Sequence, residues 1–143
     1  MWSRTRRRSV RDWQVQRAPD AILNMAPQRH VGDATWRALA RNAVSRREGR
    51  HAVEAQWDIT KCFENVSHTL LARQALSLGY PPAILRMSIA SYNWGRLLIW
   101  DAGIIKGFWY ATRGVVAGSG FATYELSAYT IIELRIARAS APG

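Results

Sequence analysis

The stretch "SHTLLARQALSLGYPPAILRMSIASYNWG", Ser67 to Gly95, constrains the fold more than any other part of the chain. Ser67 suits an N-cap, because its hydroxyl can accept from a backbone N–H that the first helical turn leaves unpaired. Leu70, Leu71, Ala75 and Leu78 then recur along one helical face, and Gly79 supplies a stop. Proline has its φ preset for the first helical position and no N–H to lose there, so Pro81-Pro82 opens a second helix that runs to Gly95. Two helices with a fixed break between them are therefore predicted for the middle of the chain.

The flanking segments are less regular. "HAVEAQWDI", residues 51–59, alternates, with Val53, Ala55, Trp57 and Ile59 on one face and Glu54, Gln56 and Asp58 on the other, which is a strand period. Upstream, Trp36, Leu39, Ala40, Ala43 and Val44 form a helical stripe between an Asp33 cap and Gly49, with Arg37, Arg41 and Arg47 off the stripe. Residues 1–32 are basic, broken by Pro19 and Pro27, and show no sustained period, so they read as a loosely ordered lead-in. Downstream, "RLLIW" and "IIKGFWY" joined through Asp101-Ala102-Gly103 predict a hairpin. A glycine loop, "RGVVAGSG", then leads to a final helix over 121–138 with Phe121, Leu126 and Tyr129 in the core. The expected fold class is α+β, with one domain at 33–143 behind the basic segment 1–32.

Charge narrows the partners. A net charge of +10, nearly all of it from Arg, points to a polyanion, nucleic acid before an anionic membrane surface, although Arg-rich usage equally reflects a GC-rich genome. Asp101, Lys106, Arg113 and Glu125 interrupt the apolar C-terminal half before a membrane-spanning length of roughly 20 residues is reached, so no membrane partner is expected. The single cysteine, Cys62, excludes an internal disulfide and a cysteine-based zinc site, and it fits a reducing compartment, nucleus or cytoplasm. The start "MWSRTRRRSVR" is basic without an apolar core behind it, unlike a secretory signal, and is either a solvated tail or a nuclear-localisation patch.

The chemistry centres on Asp58. A strand end is a rigid support for a carboxylate, and hard Mg²⁺ prefers oxygen ligands, but an aspartate in that position also caps the following turn. The histidines, His30, His51 and His68, form no metal pattern, and His68 suits a helix start. "WDITKCFENVSHTLL…LGYPPAILR…SYNWGR", followed by "RGVVAGSGFATYEL", resembles the palm of reverse transcriptases, non-LTR retroelement enzymes in particular. Their first motif runs Asp-Ile-x-Lys-Ala-Phe-Asp-x-Val-x-His, and Asp58, Ile59, Lys61, Phe63, Val66 and His68 fall in register. Their second, Arg-Gly-Val-Pro-Gln-Gly-Ser, aligns with Arg113 to Ser119.

The resemblance covers residues 57 to about 134 and implies a partial fingers-palm of a right-hand polymerase. It makes Asp58 the metal ligand and catalytic carboxylate, helped by the backbone carbonyl of Ile59. Phe63 becomes the gate under the sugar that favours deoxynucleotides, although a Phe in this pattern also suits plain core packing. Gly114, Gly118 and Ser119 become the loop against the incoming nucleotide, and Arg37, Arg41 and Arg113 contacts to nucleic acid. Mg²⁺ is the implied cofactor, with RNA template, DNA primer and deoxynucleotides as implied partners. The chain departs from the pattern in having Val116-Ala117 for Pro-Gln and Glu64 for the second Asp. The Tyr-x-Asp-Asp motif that brings the remaining metal carboxylates has no counterpart, because the ten acidic residues include no adjacent pair. The expectation is a reverse transcriptase-like fragment unable to polymerise by itself; the alternatives are a non-catalytic basic nucleic-acid-binding module and a retroelement remnant.

Overall fold

The computed structural model describes residues 2–17, 31–51, 53, 58–97, 99–100, 103–104, 107–116 and 118–140. Its elements are α1 (Trp2–Arg17), α2 (Val31–Arg47), α3 (His68–Ser77), α4 (Pro82–Tyr92), β1 (Ile99–Trp100), β2 (Gly103–Ile104) and α5 (Ala122–Ser140). The central pair forms as its capping residues dictate. Ser67 Oγ accepts from the Leu70 N–H at the start of α3. At its end the Gly79 N–H donates to Leu76 O and the Tyr80 N–H to Ala75 O, the two reverse bonds that close a helix through a glycine. Pro82 then occupies the first turn of α4.

The core sits where α3 packs on α5 and, less extensively, on α4. Leu71, Ala75 and Leu78 meet Ile84, Leu85 and Tyr92 from the α4 side and Tyr124, Ala128 and Ile131 from α5. Val66, Tyr80, Val115 and Phe121 come in from the connections. Burying each of the larger side chains contributes about 1.5–3 kcal/mol, so this helical interface dominates the stability of the described chain. Leu126 and Tyr129 are only partly buried, because α5 turns Glu125, Ser127 and Ala128 to the core instead.

The α+β fingers-palm expected from the sequence is not the fold. Among the described residues the only strands are β1 and β2, two residues each, and the molecule is otherwise helical, with helices packed on helices rather than on a sheet. The strand expected at residues 51–59 falls largely outside the described residues (52 and 54–57). Val53, Asp58 and Ile59, which are described, lie in irregular backbone. Val53 is 94% exposed and Ile59 59% exposed, so these two residues of the apolar face are left uncovered. Alternation marks a strand only where a partner layer buries one face, and no layer buries Val53 or Ile59.

Two helices also depart from expectation. α1 lies within the segment expected to be loosely ordered, yet Val10, Trp13 and Gln14 are buried. The Trp13 indole N–H donates to Leu78 O at 2.9 Å, and its ring meets Tyr80 edge-on at 4.9 Å between centroids. Arg7 Nε donates to Tyr124 OH, and Arg135 donates to Arg17 O, which ties α1 to α5. The rest of the basic lead-in, 18–30, is outside the described residues. α2 forms where predicted but begins at Val31, so Asp33 lies in its first turn rather than at its cap; its stripe of Trp36, Leu39 and Val44 faces solvent, and no residue from Gly32 to Arg47 is buried. No described helix is long and apolar enough to cross a membrane.

Candidate functional site

The turn over residues 60–65, directly ahead of α3, places Lys61 in the left-handed region at φ 49°. Asn65 holds the turn from both its backbone, which donates to Lys61 O, and its side-chain amide, which donates to Thr60 O. From this turn the chain meets the segment that precedes α5. The Gly114 N–H donates to Val66 O and the Val115 N–H to Phe63 O, both at 2.8 Å. His68 Nε2 lies 2.7 Å from Gly114 O; a carbonyl can only accept, so this nitrogen carries the proton and donates.

Gly114 is required at that crossing. Its φ is +94°, and a Cβ there would lie 3.0 Å from Glu64 O and 3.2 Å from Glu64 Cα. Backbone approaches backbone here at a distance that only glycine tolerates. The two segments singled out in the sequence are thereby joined, although no sheet carries them.

The join lines a cleft of about 260 Å³ with Phe63, Glu64, Arg96, Arg113, Gly114, Val115 and Val116. Phe63 serves both roles considered for it, packing partly against the core and presenting the rest to the cleft. Two guanidinium groups face one carboxylate, so the cleft is electropositive. Arg96 is steadied by a hydrogen bond from its guanidinium to Tyr92 O, 3.4 Å away.

Behind the cleft wall lies a buried polar group that sequence reading passed over. Glu125 is fully buried in the core, and burial raises its carboxyl pKa above the ordinary value, while hydrogen bonds from Ser88 and Tyr92 and the charge of His68 oppose the rise. The Tyr92 hydroxyl donates to Glu125 Oε2, and burial together with this carboxyl pushes the Tyr92 phenol up in turn. Glu125 is the only charged residue between Arg113 and Glu133, a signal in the sequence that it is placed inside.

Of the residues expected to act together, Phe63, Arg113 and Gly114 converge. Asp58 and Ile59 are exposed ahead of the turn and do not line the cleft. Ser119 works for α5: its carbonyl accepts from the Ala122 N–H and its Oγ from the Phe121 N–H, while its hydroxyl donates to the Tyr92 oxygen, whose own proton goes to Glu125, and Gly118 is exposed beside it. Arg37 and Arg41 are exposed on α2, apart from the cleft. Arg96, which the sequence placed only in a hairpin, is the addition.

The donor set does not fit Mg²⁺. Among the described residues no group of three His, Cys, Asp or Glu side chains able to hold a metal occurs, and none of them gives Asp58 a second carboxylate. A scan against protein-family models matches none, and no match to this chain is found among curated proteins or among solved structures.

Proposed function

We propose that the chain is a non-catalytic nucleic-acid-binding module whose cleft takes one nucleotide unit of a strand, built from segments that resemble reverse transcriptase motifs. The observation that supports this is the join that places Phe63, Arg96 and Arg113 around one cleft. A guanidinium fork matches phosphate oxygens in a two-pronged geometry, and a phenyl ring offers a flat apolar surface to a sugar or base. At about 260 Å³ the cleft lies below the roughly 300–1,000 Å³ of pockets that enclose a whole small molecule, which suits gripping part of a polymer. Charge supports the same class of ligand, at +10 over the chain.

Catalysis is left out because phosphoryl transfer onto a primer needs metal-held carboxylates, and among the described residues Asp58 has no partner for that work. The test is binding of a labelled twelve-nucleotide thymidine strand across a salt series. Each phosphate contact to a single strand contributes about 0.7 to the slope of log K against log salt, so Arg96→Ala with Arg113→Ala lowers that slope by about 1.4. Arg37→Ala with Arg41→Ala, on α2, leaves the cleft intact and is the control. An unchanged slope in the cleft variant, or primer extension by the wild-type chain with Mg²⁺ or Mn²⁺, would overturn the proposal.

A further inference from the structure

The described residues after α4 form a ribbon with an unusual surface. Arg96 and Trp109 pair directly, each N–H donating to the other's carbonyl at 2.9 Å. Nearer the tip, Ile99 pairs with Ile104 and Trp100 with Gly103.

Directly paired residues share a face, so Arg96 and Trp109 stand side by side, and their neighbours turn to the opposite face. There Gly95 leaves room for two rings: a Cβ on it would lie 3.0 Å from Phe108 Cδ1 and 3.1 Å from Tyr110 Cε1. Trp109 is 58% exposed, Phe108 61% and Tyr110 67%, with Trp94 exposed just before them. Aromatic rings held this far out on a short ribbon add little to the core.

We infer that this ribbon is a stacking platform for unpaired bases, so that the chain selects single-stranded over double-stranded nucleic acid. The inference rests on the cleft proposed above and extends it, because Arg96 belongs to both the cleft wall and the Trp109 face. A base laid on the Trp109 ring leaves its phosphate within reach of the side of the ribbon where Arg96 and Arg113 line the cleft. Only an unpaired base offers a free π-face, whereas bases in a duplex are stacked on each other. The charge of the chain complements such a strand and opposes the alternative of a second copy: a two-fold contact centred on this face would bring Arg96 against Arg96 in chains that each carry +10.

The experiment compares a labelled twelve-nucleotide strand with the duplex of the same length at one salt concentration. Wild type binds the strand more tightly. Trp109→Ala weakens strand binding by roughly five- to 150-fold, the range for loss of one stacked base, and leaves duplex binding unchanged. Trp109→Phe restores most of it, since a ring is what is needed. Should Trp109→Ala lose its helical circular dichroism, Trp109→Leu, which keeps apolar bulk but no ring, is expected to move strand binding in the same direction. Unchanged strand affinity, or equal loss on strand and duplex, overturns the inference. So does a dimer in sedimentation that Trp109→Ala dissociates without affecting strand binding. Binding of deoxyadenosine triphosphate without added metal keeps the two proposals apart: indifference to Arg96→Ala and Arg113→Ala removes the cleft, whereas strand preference indifferent to Trp109 removes the ribbon.

Discussion

Replacing Gly114 by alanine tests the crossing on which the site depends. The new Cβ would sit 3.0 Å from Glu64 O and 3.2 Å from Glu64 Cα, both backbone atoms that cannot swing aside, and it would do so at φ +94°. Holding a non-glycine residue in such a conformation costs about 1–3 kcal/mol. Relieving the clash means moving Gly114 away from Val66 and His68, which loses two hydrogen bonds of about 0.5–1.5 kcal/mol each in net terms. These losses are alternatives in part, so the expected destabilisation is about 2–4 kcal/mol. At about 3 °C per kcal/mol for a chain of this length, thermal unfolding should move down by about 6–12 °C. Calorimetry or circular dichroism melting measures it, with Gly32→Ala as the control. Gly32 lies in α2 with open space where the Cβ would go, so alanine there should raise stability by about 0.5–1 kcal/mol. Equal, near-zero shifts for both variants would refute the crossing.

Three further outcomes follow from the same geometry. Because burial raises the Glu125 pKa above its ordinary 4.5, the stability it contributes is fully present below about pH 4.5 and is lost as pH rises through the higher folded value. Denaturant midpoints of wild type should therefore fall as pH rises above about 4.5, with a slope of at most about 1.4 kcal/mol per pH unit from this group, and Glu125→Gln should flatten that fall; parallel curves would contradict it. Trp13→Ala removes the indole bond to Leu78 O and the edge contact with Tyr80, and should cost about 3–5 kcal/mol in urea unfolding, against almost nothing if α1 were undocked. Ser67→Ala removes the α3 cap and should cost about 1 kcal/mol by the same assay.

What the sequence made legible was local. Ser67, Gly79 and Pro82 bound α3 and α4 through backbone hydrogen bonding that needs only neighbouring residues, and the structure follows them. A hairpin in this stretch was legible for the same reason, although Gly103, read as part of its turn, pairs with Trp100 inside the ladder. What depends on a distant partner was not. The alternation over 51–59 suggested a strand, but a strand needs a neighbour and a covering layer, and Val53 and Ile59 have neither. α2 displays its apolar stripe outward because amphipathic spacing fixes a face and not what the face meets. α1 was hidden by its arginines: two apolar residues, Val10 and Trp13, suffice to dock it when the indole also finds a carbonyl. In the site, Phe63, Arg113 and Gly114 were visible through their motifs, whereas Arg96 joins them only through the ribbon pairing with Trp109.

The most direct test of the proposed cleft is a titration of the isotopically labelled chain with deoxyadenosine triphosphate, followed by backbone amide shifts without added metal. The cleft predicts that shifts concentrate at Phe63, Glu64 and Gly114 to Val116, where the two segments meet. Shifts spread over the arginines of α1 and α2 with those amides unmoved would contradict it, and would leave only a diffuse attraction between a basic chain and an anion.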